Sequence, residues 1–147
     1  MVCTFFGHKF VYKEIEPTLR SALINLIEKR QVDTFYVGNH GNFDSVVCKV
    51  LKDLSVKYSI TYRVVLAYMP TKKTRFDRAD EPNTVLPDGI ETVPKRFAIS
   101  YRNKWMLRRA DYVVTYVTHT VGSGAAQFKE LAKKWNKTII ELGEKTG

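Results

Sequence analysis

Short apolar runs alternate along this chain with stretches in which apolar residues return every three to four positions. Val2-Cys3-Thr4-Phe5-Phe6 reads as a strand that ends at Gly7. Pro17 opens a helix, since proline suits the first turn, and Leu19, Leu23, Leu26 and Ile27 form its apolar stripe. A second strand over residues 33–37 closes at Gly38-Asn39-His40-Gly41. Val46, Val47, Val50, Leu51 and Leu54 then recur at helical spacing behind Asn42 or Asp44 as a cap. Residues 62–68 are almost continuously apolar, which suits a strand covered on both faces. A long connection over 69–94 follows, holding four of the five prolines. Loops of that length are usually functional, and this one has the position of a lid. Residues 98–110 read as a helix with Trp105 and Met106 inward, and 111–117 as a fourth strand. After Gly122-Ser123-Gly124 come a helix over 125–135, with Phe128, Leu131 and Ala132 inward, and a last strand over 137–142.

Strands alternating with helices predict an α/β fold: a Rossmann-like, doubly wound, mostly parallel sheet of about five strands with helices on both faces. A chain of 147 residues makes one domain, 1–147. The 44% apolar content excludes a disordered chain. No apolar run approaches the ~20 residues of a membrane span, so no membrane partner is expected. Residues 1–8 lack a basic lead and a long apolar stretch, so no signal peptide is expected there. Cys3 and Cys48 sit in apolar patterns without Cys-x-x-Cys spacing and read as reduced thiols of a cytoplasmic protein.

Net charge changes the picture more. At +9, it favours phosphate-bearing partners, either a nucleic acid or a nucleotide-like ligand. In an open α/β sheet, ligands bind beyond the carboxyl ends of the strands. That rule selects Gly7-His8-Lys9, residues 38–44, residues 69–71 and residues 118–126. Three of these segments place glycine beside His or Asn, and glycine lets a backbone approach a phosphate closely. Glycine also serves ordinary tight turns, so no single loop decides the matter. His8, His40 and His119 all fall in these loops, without the spacing of a metal site, and neither metal nor cofactor is expected. Lys95, Arg96, Arg102, Lys104, Arg108 and Arg109 lie within 15 acid-free residues. Arg102, in the N-terminal part of its helix, is the candidate anion anchor, with the others exposed. Arg102 and Arg109, seven apart, share a helical face. Phe97, Tyr101 and Trp105, spaced by four, read as core rather than as a base-stacking platform.

Residues 3–8, 35–44, 62–68, 93–106 and 124–128 together resemble short bacterial and phage proteins of the SLOG superfamily, which unites Smf/DprA DNA-processing proteins with LOG-type phosphoribohydrolases. The resemblance spans nearly the whole chain. It implies a Rossmann-like fold, a nucleotide-derived ligand at the edge just described, and a homo-oligomer. The LOG pattern Gly-Gly-x-Gly-Thr-x-x-Glu is not kept: Ala125 replaces its Thr and Phe128 its Glu, while Glu130 points about 200° away around the helix. Lys9 stands where relatives carry Arg and would hold a phosphate only as a point charge. Asp44 remains as the candidate catalytic carboxylate, its other reading being the helix cap.

The sequence thus predicts a module that binds or senses a nucleotide-derived ligand, such as an ADP-ribose-like molecule, a cyclic nucleotide or a nucleoside phosphate. Gly7, His8, Lys9, Gly38, Asn39, Gly41, Phe43, Asp44, Arg102, His119, Gly122, Ser123, Gly124 and Ala125 form the expected site. The alternatives are a nucleoside-phosphate N-glycosidase using Asp44, and single-stranded nucleic-acid binding through the basic helix.

Overall fold

Six strands form one wholly parallel sheet among the described residues of this computed structural model, which are 1–11, 14–68, 83–118 and 123–143. In chain order these are β1 (Val2–Gly7), β2 (Thr34–Val37), β3 (Thr61–Val65), β4 (Thr84–Val85), β5 (Tyr112–Tyr116) and β6 (Thr138–Glu141). The helices between them are α1 (Glu16–Arg30), α2 (Asn42–Lys57), α3 (Ala98–Arg109) and α4 (Gly124–Lys134). The spatial order β4-β3-β2-β1-β5-β6 is that of a Rossmann-like, doubly wound fold. β1 lies between β2 and β5, with Cys3 opposite both Phe35 and Tyr112. The chain winds outward from β1 to β4, then returns to β5 on β1's other side. The gap beyond the carboxyl ends of β1 and β5 is therefore the switch point where such sheets bind ligands.

Alternation along β1 divides the core. Cys3 and Phe5 face α1 and α2, joining Leu19, Leu23, Leu26, Val47, Val50 and Leu51. Phe6 faces α3 and α4, joining Met106, Leu107 and Ala132. Burying each large apolar side chain contributes roughly 1.5–3 kcal/mol, which is how these amphipathic stripes hold the helices to the sheet.

The expected connection over 69–94 carries structure the sequence did not reveal. β4, a two-residue strand, pairs with Val64 and Val65 of β3. Leu66 donates its N–H to the Val85 carbonyl at 2.9 Å, and β3 ends at Val65 rather than running on to Tyr68 because its neighbours β2 and β4 end at Val37 and Val85. Ile90 is buried in a single 3-10 turn (Ile90–Thr92) beside Ala67 and Ala98. The lid reading falls largely on residues 69–82, outside the described residues. α2 is capped by neither Asn42 nor Asp44: Gly41 is its N-cap, and Asp44 reaches back to accept the His40 N–H at 3.0 Å. Phe97 does not join the core, being 52% exposed, because it belongs to a 3-10 turn (Lys95–Phe97) ahead of α3 and falls off the helical stripe.

One ionic cluster ties α4 to the sheet. Lys129 Nζ donates to Glu141 Oε2 at 2.6 Å, with only 9% and 18% of the two side chains exposed. Glu141 also accepts from the Thr115 hydroxyl and from the N–H groups of Val117 and Gly143. Burial works against its ionisation, but the hydrogen bonds from Lys129, Thr115 and the two backbone N–H groups outweigh it and hold its pKa below the usual carboxylate value. Lys129→Met is expected to cost about 2–3 kcal/mol in urea denaturation at neutral pH, because it leaves a half-buried carboxylate without its cation. The double change Lys129→Met with Glu141→Gln should recover part of that loss. A single variant as stable as the wild type would show that the cluster contributes nothing.

Candidate functional site

A cavity of about 480 Å³ opens at the switch point between β1 and β5. Its floor comes from the end of β1 (Phe5, Phe6, Gly7, His8) and its sides from the turns entering α2 (His40, Gly41, Asp44) and α4 (Ser123, Gly124, Ala125). α3 closes it with Ile99, Arg102, Asn103 and Met106. The volume suits a small organic ligand.

The loops are joined before any ligand is considered. Asn42 donates its N–H to the Lys9 carbonyl at 2.8 Å, tying the turn after β1 to the start of α2. Gly41 sits at φ +95°, a left-handed conformation that side chains rarely adopt, and a Cβ there would lie 2.8 Å from Lys9 Cα. Gly7 allows a different approach: a Cβ would lie 2.2 Å from the Phe43 ring. Phe43, expected among the ligand residues, is instead 1% exposed, stacks on Tyr116 and supports the floor from below.

Arg102 dominates the site's electrostatics. It is 2% exposed, yet no carboxylate of the described residues lies within ion-pair distance of its guanidinium. Its partners are neutral acceptors. Nη1 donates to the Val65 carbonyl at 2.8 Å and to Asn39 Oδ1 at 3.3 Å, and Nε donates to Asn103 Oδ1 at 2.7 Å. Nη2 lies 3.4 Å from His40 Nδ1. An arginine cannot accept, so the His40 contact requires an unprotonated Nδ1. Burial, with the Arg102 and Lys9 charges, holds the His40 pKa below its ordinary value. Gly38 makes room for the arrangement: a Cβ there would sit 2.8 Å from Arg102 Nη1 and 2.9 Å from Asp44 Oδ2.

Asp44 is the nearest anionic partner by charge. Burial pushes its carboxyl up to about 6, against the attraction of Arg102 and the His40 N–H bond, which lower it. Near neutral pH it is mostly ionised, but it makes no ion pair with the guanidinium, whose direct partners remain neutral acceptors.

At the other side of the cavity, Ser123 caps α4. Its Oγ accepts the Ala126 N–H at 3.0 Å and lies 3.4 Å from His8 Nδ1. The N–H groups of Gly124 and Ala125 belong to the first turn, where a helix leaves them without intrahelical partners. A Cβ at Gly124 would meet nothing within 4 Å, so this turn faces open space. Two helix N-termini and Arg102 thus present positive potential to one cavity.

Of the expected residues, Gly7, His8, Lys9, Gly41, Asp44, Arg102, Ser123, Gly124 and Ala125 line the cavity. Gly38 and Asn39 lie behind Arg102 and hold it in place. His119 and Gly122 fall outside the described residues. Phe10, His40, Ile99 and Asn103 also line the cavity although they were not among the expected ligand residues. Asn103 was marked only by its position beside Arg102, and His40 by its place among the loop histidines. The basic stretch divides sharply. Lys95, Arg96, Lys104, Arg108 and Arg109 are exposed, while Arg102 alone is buried. The shared face expected for Arg102 and Arg109 does not appear, because Arg109 folds back over the Trp105 ring at 3.7 Å. Among the described residues no group of three or more His, Cys, Asp or Glu could hold a metal ion. No described helix is long and apolar enough to cross a membrane. No protein-family model matches the chain, and no curated protein sequence matches it.

The Asp44 pKa gives a testable sign. Its folded value, about 6, exceeds the ordinary 3.8, so the folded state holds this proton more tightly than the unfolded chain. The stability linked to it is full below pH 3.8 and is lost as pH rises through about 6. Urea unfolding of wild type and Asp44→Asn from pH 4 to pH 8 should therefore show the difference moving in favour of the variant, by on the order of 2–3 kcal/mol. A difference that does not change with pH would contradict the burial of this carboxyl.

Proposed function

We propose that the protein binds, and thereby senses, a nucleotide-derived ligand at the carboxyl edge of the sheet. The observation that carries this reading is a buried arginine facing a cavity without a paired carboxylate. Desolvating a charge is costly unless something of opposite sign meets it. A phosphate placed among Arg102 and the α4 N-terminal turn supplies that charge. The remainder of the cavity asks for a flat apolar group. Its inner wall includes Met106 and Phe128, and its rim includes Phe10 and Ile99, which are 60% and 37% exposed. A phosphate joined to a planar base, as in a nucleoside phosphate, a cyclic nucleotide or an ADP-ribose-like molecule, matches both halves. The resemblance to the SLOG superfamily supports the same ligand class and adds self-association. Cys3 fits the cytoplasmic part of the reading, since burial raises its pKa and keeps the thiol inert.

Asp44 supports a second reading. A cavity carboxyl titrating near neutrality suits general acid–base work, as in an N-glycosidase. It is the weaker reading because Phe128, not a carboxylate, lines the cavity on α4.

Calorimetric titration with AMP, NAD, ADP-ribose and cyclic AMP, with adenosine as the uncharged control, separates these readings. At least one phosphorylated compound is expected to bind, with adenosine weaker by about 10-fold or more, the difference a charge-assisted contact supplies. Failure of all four, or equal binding of adenosine, would overturn the proposal. Chromatography of the same mixtures is expected to show no free base. Base release that disappears in Asp44→Asn would establish the glycosidase reading instead.

A further inference from the structure

We propose that His8 is a positioning residue that makes Ser123 an obligate hydrogen-bond donor toward the cavity. The inference rests on the reading of the cavity as an anion-binding site and specifies one of its contacts. His8 is 7% exposed and Ser123 6%. The backbone N–H of Thr118 donates to His8 Nε2 at 2.7 Å. An N–H can only donate, so Nε2 carries a lone pair, and the neutral ring holds its proton on Nδ1. Nδ1 lies 3.4 Å from Ser123 Oγ, and with its proton in place it can only donate across that gap. The same oxygen accepts the Ala126 N–H at 3.0 Å. A hydroxyl has two acceptor positions and one donor. With both acceptor positions engaged, the Ser123 proton is left for whatever occupies the cavity that Ser123 lines.

Two consequences follow. His8 does not activate Ser123 as a nucleophile, because the nitrogen facing Oγ already carries a proton and cannot take another from it. The ligand atom at this position must accept a hydrogen bond. A phosphate, carboxylate or carbonyl oxygen satisfies it, and an ammonium group does not. The donor set there becomes the Ser123 hydroxyl with the first-turn N–H groups of Gly124 and Ala125, all three residues lining the cavity.

Two measurements test this. Nitrogen-15 spectra of the imidazole ring in the wild-type protein at neutral pH should show Nδ1 protonated and Nε2 unprotonated at His8. The opposite tautomer overturns the proposal whether or not a ligand binds. AMP titration of wild type, Ser123→Ala, His8→Ala and the double variant then tests the coupling. Ser123→Ala should weaken AMP by about 10-fold, the scale of one charge-assisted hydrogen bond. His8→Ala should weaken it several-fold alone but less than about 2-fold when Ser123 is already alanine. Equal losses from His8→Ala in both backgrounds would mean a purely structural role and overturn the positioning claim. Unchanged AMP binding in Ser123→Ala overturns the donor role while leaving the anion-binding reading intact. If AMP does not bind, the same series is run with whichever of NAD, ADP-ribose or cyclic AMP does, and binding of none of the four removes the donor role together with the anion-binding reading.

Discussion

The structure at the switch point is organised around a buried guanidinium. An arginine stays protonated, so its burial must be met by geometry rather than by neutralisation. Much of the surrounding detail can be read as an answer to that demand. β3 ends at Val65, and the carbonyl freed there accepts from Nη1. Asn39 and Asn103 bring amide oxygens from two different elements. Gly38 has no side chain, because Nη1 and the Asp44 carboxylate crowd the space a Cβ would fill. These groups satisfy hydrogen bonds but bring no negative charge, and Asp44, mostly ionised at neutral pH, makes no ion pair with the guanidinium. The missing charge is what turns a packing arrangement into a candidate binding site.

The doubly wound topology sets where this happens. β1 is paired on both sides, and the connections after its two neighbours leave in different directions. The turns following β1, β2 and β5 converge there without any of them being long. The Lys9–Asn42 backbone bond and the His8 bond to Thr118 tie those turns to one another. The Glu141 cluster steadies the β5 end by taking the Val117 N–H, one residue before Thr118. Stability elements and site elements are therefore neighbours along the same backbone.

The alternation of strands and helices was legible in the sequence because each apolar run and stripe is long enough to show its period. β4 was not, since two residues carry no periodicity and its pairing depends on β3 already being in place. The glycines after β1 and β2 marked the turns correctly, but not what they accommodate. Phe43 looked like a ligand residue by its position in such a loop, whereas its ring fills the space Gly7 leaves. Arg102 stood out among six basic neighbours by its place near the start of α3. The +9 charge was the least informative signal. Lys29, Arg30, Lys57, Arg108, Arg109, Lys133 and Lys134 all fall in the last turns of the four helices, where cations complement the helix dipole. A local field around the cavity is a poorer account of that excess than these helix ends. Phe10 and Ile99 reach the cavity rim only through tertiary structure, so no local pattern announced them.

Arg102 is proposed to await an anion. Thermal unfolding of wild type and Arg102→Met over a rising series of AMP concentrations tests it most directly, since a ligand stabilises only the state that binds it. The wild-type midpoint should climb steadily with the logarithm of AMP concentration, while the variant's stays flat. A wild type that responds to none of AMP, NAD, ADP-ribose and cyclic AMP, or a variant that responds equally, would contradict that reading.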